Sequence, residues 1–493
     1  MRKRFEAQLE IGMTAIGDVK IPRNSRDELA PTLLALQNIF VTPSLNEEVF
    51  AILEEKIAAG SKNTKGREGM NLWEILVMSM CRLTLNADYD RTLDMLNHHT
   101  LIREIMYVNN NRYSTDYKEF KLQTVKDNLQ LLDEDTIMKI NELVVAAAHD
   151  LVLKKNEKLQ IKSDSFVLET NIHFPTDYNL LWDSARKCLD IMYLCHKEYG
   201  FVGWRKVKNW RSTLKSQCRA VGKANSGKGA NKDASLKNAA TEYLEQAGKL
   251  YAKINETVLE NYNILSQSTK VQELLENKLE YYMAMLEKHI DLVERRLIKG
   301  EIIPTSEKIY SIFESHSEWI SKGKLNKKVE FGHNVLISTD QFGFILNSKV
   351  VEKQQDSALV IEITDKLLAK YRGKIASMSF DKGFYSKENK ELLQLEIPLV
   401  IMPKKGKLNV KEKEEESDKK FKKLRKAHSA VESNINELEH HGLDRCPDKG
   451  MKRFKTYTSL AILAYNLQKI GKLLIQKEKE KAEKEVKNLP KAA

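Results

Sequence analysis

Leu159-Gln-Ile-Lys-Ser-Asp-Ser-Phe-Val167 is where the chain changes period. Apolar and polar residues alternate through it as in a half-buried β-strand, whereas the segments before it repeat at helical spacing. This run presents Asp164 close to its end. A second β-prone run, Ile375-Ala-Ser-Met-Ser-Phe380, ends directly at Asp381. Glu432 follows on a helix expected from about Phe421 to Glu439. Two strand-end aspartates and a helical glutamate suit a hard divalent cation. Mg²⁺ takes oxygen ligands, keeps several waters, and is commonly held by one or two carboxylates with substrate phosphates. Two such ions clamp the attacking and leaving oxygens of an in-line phosphoryl displacement.

Upstream of β-like Leu159 the pattern is helical from Asn46. Val49, Leu53 and Ile57 share one face, and Leu72, Ile75, Leu76 and Leu83 share another. Asp88 opens a further helix with an acidic first turn, and Asp133 caps one running to about Leu153. The residues before Asn46 mix strand-like and polar stretches and give no firm element. Downstream, the next strands are delayed far beyond an ordinary loop. The gap carries two amphipathic stripes: Leu236, Ala240, Tyr243, Ala247, Leu250, Ile254 and Leu259, then Leu274, Leu275, Leu279, Tyr282, Leu286, Ile290 and Val293. They predict a helical hairpin or small bundle inserted between the first and second strands. A hairpin of strands then turns at Asp340-Gln-Phe-Gly343. A helix (Ala358 to Lys370), the Asp381 strand, another helix, a short strand Ile397 to Met402, a charged loop from Lys404 to Lys420, the Glu432 helix and a last helix through Leu460 and Ile470 complete the order.

The wording around the acids is specific. Asp164 opens Asp-Ser-Phe-Val-Leu-Glu-Thr-Asn-Ile-His-Phe-Pro-Thr-Asp-Tyr-Asn-Leu-Leu-Trp-Asp183. Glu432 lies in His428-Ser-Ala-Val-Glu-Ser-Asn-Ile-Asn-Glu-Leu-Glu-His-His-Gly-Leu-Asp-Arg445, and Ser311-Ile-Phe-Glu-Ser-His-Ser-Glu-Trp-Ile-Ser-Lys-Gly-Lys324 comes between. Over residues 45 to 470 the chain resembles the DDE transposases of bacterial insertion sequences and looks closest to the ISNCY group. The resemblance implies a mixed α/β fold: a ribonuclease-H-like (RNase H-like) catalytic core, an N-terminal helical DNA-binding bundle and a large, mainly helical insertion. The expected divisions are an unassigned segment 1–43, a helix-turn-helix-like DNA-binding region 44–155, the core in two parts at 156–184 and 327–445, a basic helical insertion 185–326, and a C-terminal helix and tail 446–493. It further implies Asp164, Asp381 and Glu432 as catalytic residues and ligands of Mg²⁺, with Mn²⁺ as substitute. The partners implied are double-stranded DNA, as element ends and target, and a second copy of the chain in a homodimer on DNA.

Asp177, Asp183, Asp190, Glu437 and Glu439 compete with the triad; the first three lie beyond the strand, past Pro175. Lys382 is a candidate contact to DNA phosphate, Tyr385 sits where related transposases carry an aromatic after the second aspartate, and His428 stands where they carry an arginine that contacts DNA phosphate. Those relatives carry a tyrosine and a lysine where this chain has Arg425 and Glu439, so DNA-end handling need not follow theirs. Trp319 is a candidate to stack on an unpaired base. From Trp204 to Lys232 the chain carries Arg205, Lys206, Lys208, Arg211, Lys215, Arg219, Lys223, Lys228 and Lys232 with no acid, interleaved with Trp204 and Trp210. One-signed charge with aromatics suits phosphate neutralisation and base stacking.

The bulk properties agree. The chain has 493 residues, 42% of them hydrophobic, so disorder is excluded and two or three domains are expected. A formal charge of +12 favours a polyanionic partner. Five cysteines without a C-x-x-C pair suit a reducing cytoplasm; Cys188, Cys195, His196 and Cys218 lack the spacing of a zinc finger or ribbon. No run approaches the ~20 apolar residues of a membrane span. The expected location is the bacterial cytoplasm, at the nucleoid when bound to DNA. Two rivals remain: a structure-selective nuclease on the same core, and a domesticated DNA-binding protein that keeps the fold only.

Overall fold

Asp133 opens the helix Glu134–Val152 by accepting a hydrogen bond from the Thr136 N–H at 3.1 Å. A short turn then delivers the chain into strand β1, Leu159–Thr170. The computed structural model describes residues 2–5, 13–59, 69–261, 275–321 and 329–487. The chain divides into two compact units, Met1–Asn171 with Ile320–Ala493, and Ile172–Trp319. The inserted unit thus begins earlier than the expected residue 185, because the helix Asp177–Tyr199 belongs wholly to it.

The first unit is mixed α/β. Strands β2 (Glu330–Thr339), β3 (Ile345–Val350), β4 (Ile375–Phe380), β5 (Val400–Ile401) and β6 (Arg445–Cys446) join β1 in one sheet. Hydrogen-bonded neighbours run β3-β2-β1-β4-β5. β2 is antiparallel to both β1 and β3, whereas β4 is parallel to β1 and to β5. β1 is longer than its alternating stretch suggested. β2 runs beside it as far as Glu169↔Gly332, so the ladder continues past Asp164 and places that residue in mid-strand.

The β2–β3 turn is built by Asp340. Its carboxylate accepts the Phe342 and Phe344 N–H groups, both at 2.9 Å, and Gly343 takes φ +80° to close the loop. The other carboxylate oxygen meets His149 Nε2 at 2.8 Å, fully buried. Strand β3 is tied to two helices by amides: Asn466 accepts the Ile345 N–H at 3.0 Å and donates to Asn141 at 2.7 Å. Further on, the expected charged loop contains the helix Val410–Ser417, started by an Asn409/Glu412 capping box. The expected continuous Glu432 helix is two helices, Lys419–His428 and Ala430–Leu438, separated at Ser429.

The N-terminal helices do not form a bundle of their own. Trp73, Leu76, Ile140 and Val144 belong to the same hydrophobic core as Phe166, Val335 and Phe344 of the sheet. Every residue of the helix Leu72–Thr84 is buried. A helix buried on all sides, its Glu74 and Arg82 held by Lys118 and Asp448, is a core element, and this one has no face to offer a DNA groove. The missed helix Leu29–Val41 is also largely buried and carries no 3.6-residue stripe to read. It crosses the long C-terminal helix Met451–Lys487 at Gly471, where an added Cβ would lie 1.8 Å from the Pro31 carbonyl oxygen. Gly471→Ala is expected to cost about 1–3 kcal/mol by overpacking, read as a lowered denaturation midpoint.

The second unit is a helical bundle of Asp177–Tyr199, Val207–Ser226, Lys232–Glu260 and Glu280–Val293. Ala240, Tyr243, Ala247, Leu250 and Ile254 are fully buried with Leu286 and Val293, whereas Leu259 is 74% exposed. Both stripes find partners inside the unit, among Leu181, Leu189, Leu214 and Val221. Among the described residues most of the two stripes is packed within the unit itself. Leu274 lies outside the described residues.

Candidate active site and nucleic-acid surface

Register brings the first two acids together. Ser163 pairs with Phe380 in the parallel β1–β4 ladder, so Asp164 and Asp381 are the next residues along adjacent strands. β4 ends there, and β6 joins the same side of β1 only at Glu169. Between them β1 borders a notch in the sheet, and Asp164 stands at its edge. Asp381 is exposed and caps a 3-10 turn, Lys382–Phe384, which Phe384 anchors by packing on Phe380 at 5.7 Å between ring centroids.

Side chains two apart on a strand share a face. Lys162 and Asp164 therefore share one, and Ser379, paired with Lys162, lies on it too. His428 covers this face: its Nδ1 is 3.0 Å from Ser379 Oγ, while Nε2 is buried without a hydrogen-bond partner. Burial pushes the imidazole below its usual range; Asp381 opposes the shift and Lys162 reinforces it. His428 is thus an inward-facing residue of the site rather than a solvated helix histidine. After the break at Ser429, the helix Ala430–Leu438 packs on β1 and carries Glu432 on its exposed side.

Among the described residues no group of three or more His, Cys, Asp or Glu side chains is arranged to hold a metal ion. What the sheet provides is a pair, Asp164 and Asp381. A pair of carboxylates fits Mg²⁺, which completes its shell with water and substrate phosphate. Glu432, one helix away, supplies a third oxygen ligand only if its side chain turns toward β1.

Sequence reasoning missed Asp356. It starts the helix Asp356–Tyr371, accepts a hydrogen bond from Ser165 Oγ at 3.1 Å, and lies 3.5 Å from where a Cβ on Gly383 would be. Ser165 alternates with Asp164, so this carboxylate approaches the notch from the opposite face. Its signal was the Gln355-Asp356 helix start alone, which is no different from an ordinary first-turn acid.

The other candidates separate cleanly. Lys382 is exposed and Tyr385 half-buried beside Asp381. Arg425 is paired with Glu416 at 3.1 Å. Asp177, Asp183 and Asp190 all belong to the second unit and hold Arg296, His173 with Arg186, and Arg211 respectively. Glu437 lies beside Tyr465 and Lys469, while Glu439 is exposed in the turn after Leu438.

In the second unit the basic stretch is mostly a helix. Gly222 lies inside the helix Val207–Ser226. Lys208, Arg211, Lys215, Arg219 and Lys223 recur at three- and four-residue spacing and are all exposed, with Arg205 and Lys206 exposed just before them. The aromatic half of the expectation fails. Trp204 is 1% exposed and donates to Thr257 Oγ1 at 3.0 Å, so it cannot stack on a base. Trp210 is packed against the bundle core. Trp319 is 44% exposed against Tyr310. Replacing Lys208, Lys215 and Arg219 together by Gln is expected to weaken DNA binding and lower its salt slope by about 2 to 3 units, checked by titration over a salt series. Arg205, Lys206 and Arg211 extend the stripe, with Arg211 already engaged by Asp190.

The cysteine thiols are buried and free. Burial pushes Cys188 up to about 12, and Cys195 and Cys218 up to about 11. Among the described residues no helix is long and apolar enough to cross a membrane. No family model matches the chain, and neither a curated protein nor a solved structure shows similarity to it.

Proposed function

We propose that this chain is a DDE-type DNA transposase, which binds the ends of an insertion sequence, cleaves them by metal-dependent hydrolysis and joins the 3′ hydroxyl to target DNA. The observation that carries the reading is Asp164 beside Asp381 at the end of β4, under a helix that bears Glu432. The strand order, with β2 the one reversed among β1 to β6, supports a ribonuclease-H-like core. The exposed cationic stripe on Val207–Ser226 supports a polyanionic partner.

In this reading the two aspartates present their oxygens where β1 loses its neighbour, and Glu432 closes the set from the helix. Mg²⁺ bound there would neutralise charge at phosphorus and activate water. His428 holds the β4 end through Ser379 and so keeps Asp381 in register with Asp164. Both cleavage and joining are in-line displacements, so one site serves both by positioning and electrostatics. Two ends must be cut and joined in concert, which favours a homodimer on DNA; the second unit's buried stripes add nothing to that argument.

Cleavage of end-containing DNA should require Mg²⁺ or Mn²⁺, disappear with a chelator, and be supported poorly by Ca²⁺, whose looser coordination misplaces the reacting oxygens. Cleavage that persists in excess chelator would end the proposal. Joined strands among the products separate a transposase from a structure-selective nuclease, and absence of both cutting and joining leaves the fold-only DNA binder.

A further inference from the structure

Lys162 is 9% exposed, yet its ammonium has no hydrogen bond or ion pair among the described residues. Its strand neighbours do not supply one. It pairs across the ladders with Thr339 and Ser379, and the Ser379 hydroxyl is engaged by His428. The nearby Asp340 carboxylate is used by His149 and by two backbone N–H groups. Asp340 still attracts the Lys162 ammonium without bonding it, and Lys469, a second cation in the same region, repels it. The stem of Lys162 is buried, while its ammonium, held by no fixed hydrogen bond or ion pair among the described residues, is left to meet an incoming anion.

The place of Lys162 indicates the use. It lies on the strand that carries Asp164, two residues earlier and on the same face, roughly 7 Å away by strand geometry. The anion that belongs beside a carboxylate pair of this kind is a phosphodiester. We infer that Lys162 contacts the DNA backbone directly, its ammonium holding a non-bridging oxygen of the phosphate at or next to the one bound between Asp164 and Asp381. The inference rests on the transposase or nuclease reading of that pair, and it adds a substrate contact that does not depend on metal.

The test uses the full chain with Lys162→Met and Lys162→Arg, and a DNA duplex bearing the element end. Met keeps the buried stem and deletes the charge. Because it breaks no hydrogen bond or ion pair among the described residues, Lys162→Met should leave the denaturation midpoint nearly unchanged. Binding measured in chelator should weaken about tenfold, with the salt slope reduced by about 0.9. Cleavage in Mg²⁺ should fall about a hundredfold, and Lys162→Arg should recover part of each loss. A lowered midpoint with binding and salt slope intact would show that the lysine is structural and overturn the inference. If wild-type protein neither binds nor cuts the duplex, the transposase reading itself falls. If wild type cuts while Lys162→Met binds and cuts equally well, only the inference falls.

Discussion

Asp164→Asn and Asp381→Asn should each reduce DNA cleavage by about a thousandfold or more while leaving the denaturation midpoint and DNA binding nearly unchanged. Each substitution keeps the shape of a side chain at the notch but removes half the charge available to a cation, and a factor of that size corresponds to only about 4 kcal/mol of transition-state stabilisation. Asp381 is exposed at its strand end, so its replacement strains nothing. Glu432→Gln tests whether the helix Ala430–Leu438 turns its acid toward β1. A loss comparable to those at the aspartates would place Glu432 in the working site. Unchanged cleavage would remove it and direct attention to Asp356 on the other face. Glu439→Ala is the control and should remain active.

Asp340→Ala should be the most destabilising single change outside the main apolar core, by about 3–5 kcal/mol. One carboxylate there satisfies two backbone N–H groups of the turn and a buried imidazole. Deleting it strands three donors at once, two of them buried. The turn fixes the register of β2 against β3, and β2 in turn lies beside the Asp164 segment of β1. Chemical denaturation should show the loss directly. Asp340→Asn, which keeps one acceptor for the turn, should recover a part of it. A midpoint unaffected by Asp340→Ala would mean that the turn forms without its carboxylate.

Asp340-Gln-Phe-Gly343 also illustrates what a short sequence determines alone. A carboxylate that can bond its own backbone two and four residues on, followed by a glycine free to take positive φ, specifies a hairpin without help from the rest of the chain. The caps at Asp88 and Asp133 and the alternation of Leu159 to Val167 are local in the same sense. So is the order in which strands and helices follow one another. From these the mixed α/β class, the large helical insertion and the placing of Asp164 and Asp381 on strands were legible; that the two strands are neighbours is a property of the sheet.

What depended on packing between distant segments was not. Whether Trp204 faces DNA or a core is decided by Thr257 and Lys253 from another helix. The N-terminal helices looked like a separate bundle because amphipathic spacing reports that a face is buried and not what covers it; the C-terminal helix and the sheet cover these. The interruption at Ser429 has no helix-breaking residue to announce it. Asp356 and Lys162 read as an ordinary helix-start acid and an ordinary strand lysine. Only the fold, by bringing one to Ser165 and Gly383 and setting the other on the face of Asp164 with no fixed ion pair among the described residues, gives them a chemistry. Local sequence sets period, caps and turns, because those are contests among neighbouring backbone groups. Burial and charge pairing are settled between residues hundreds of positions apart, and at those distances only tertiary structure chooses the partner.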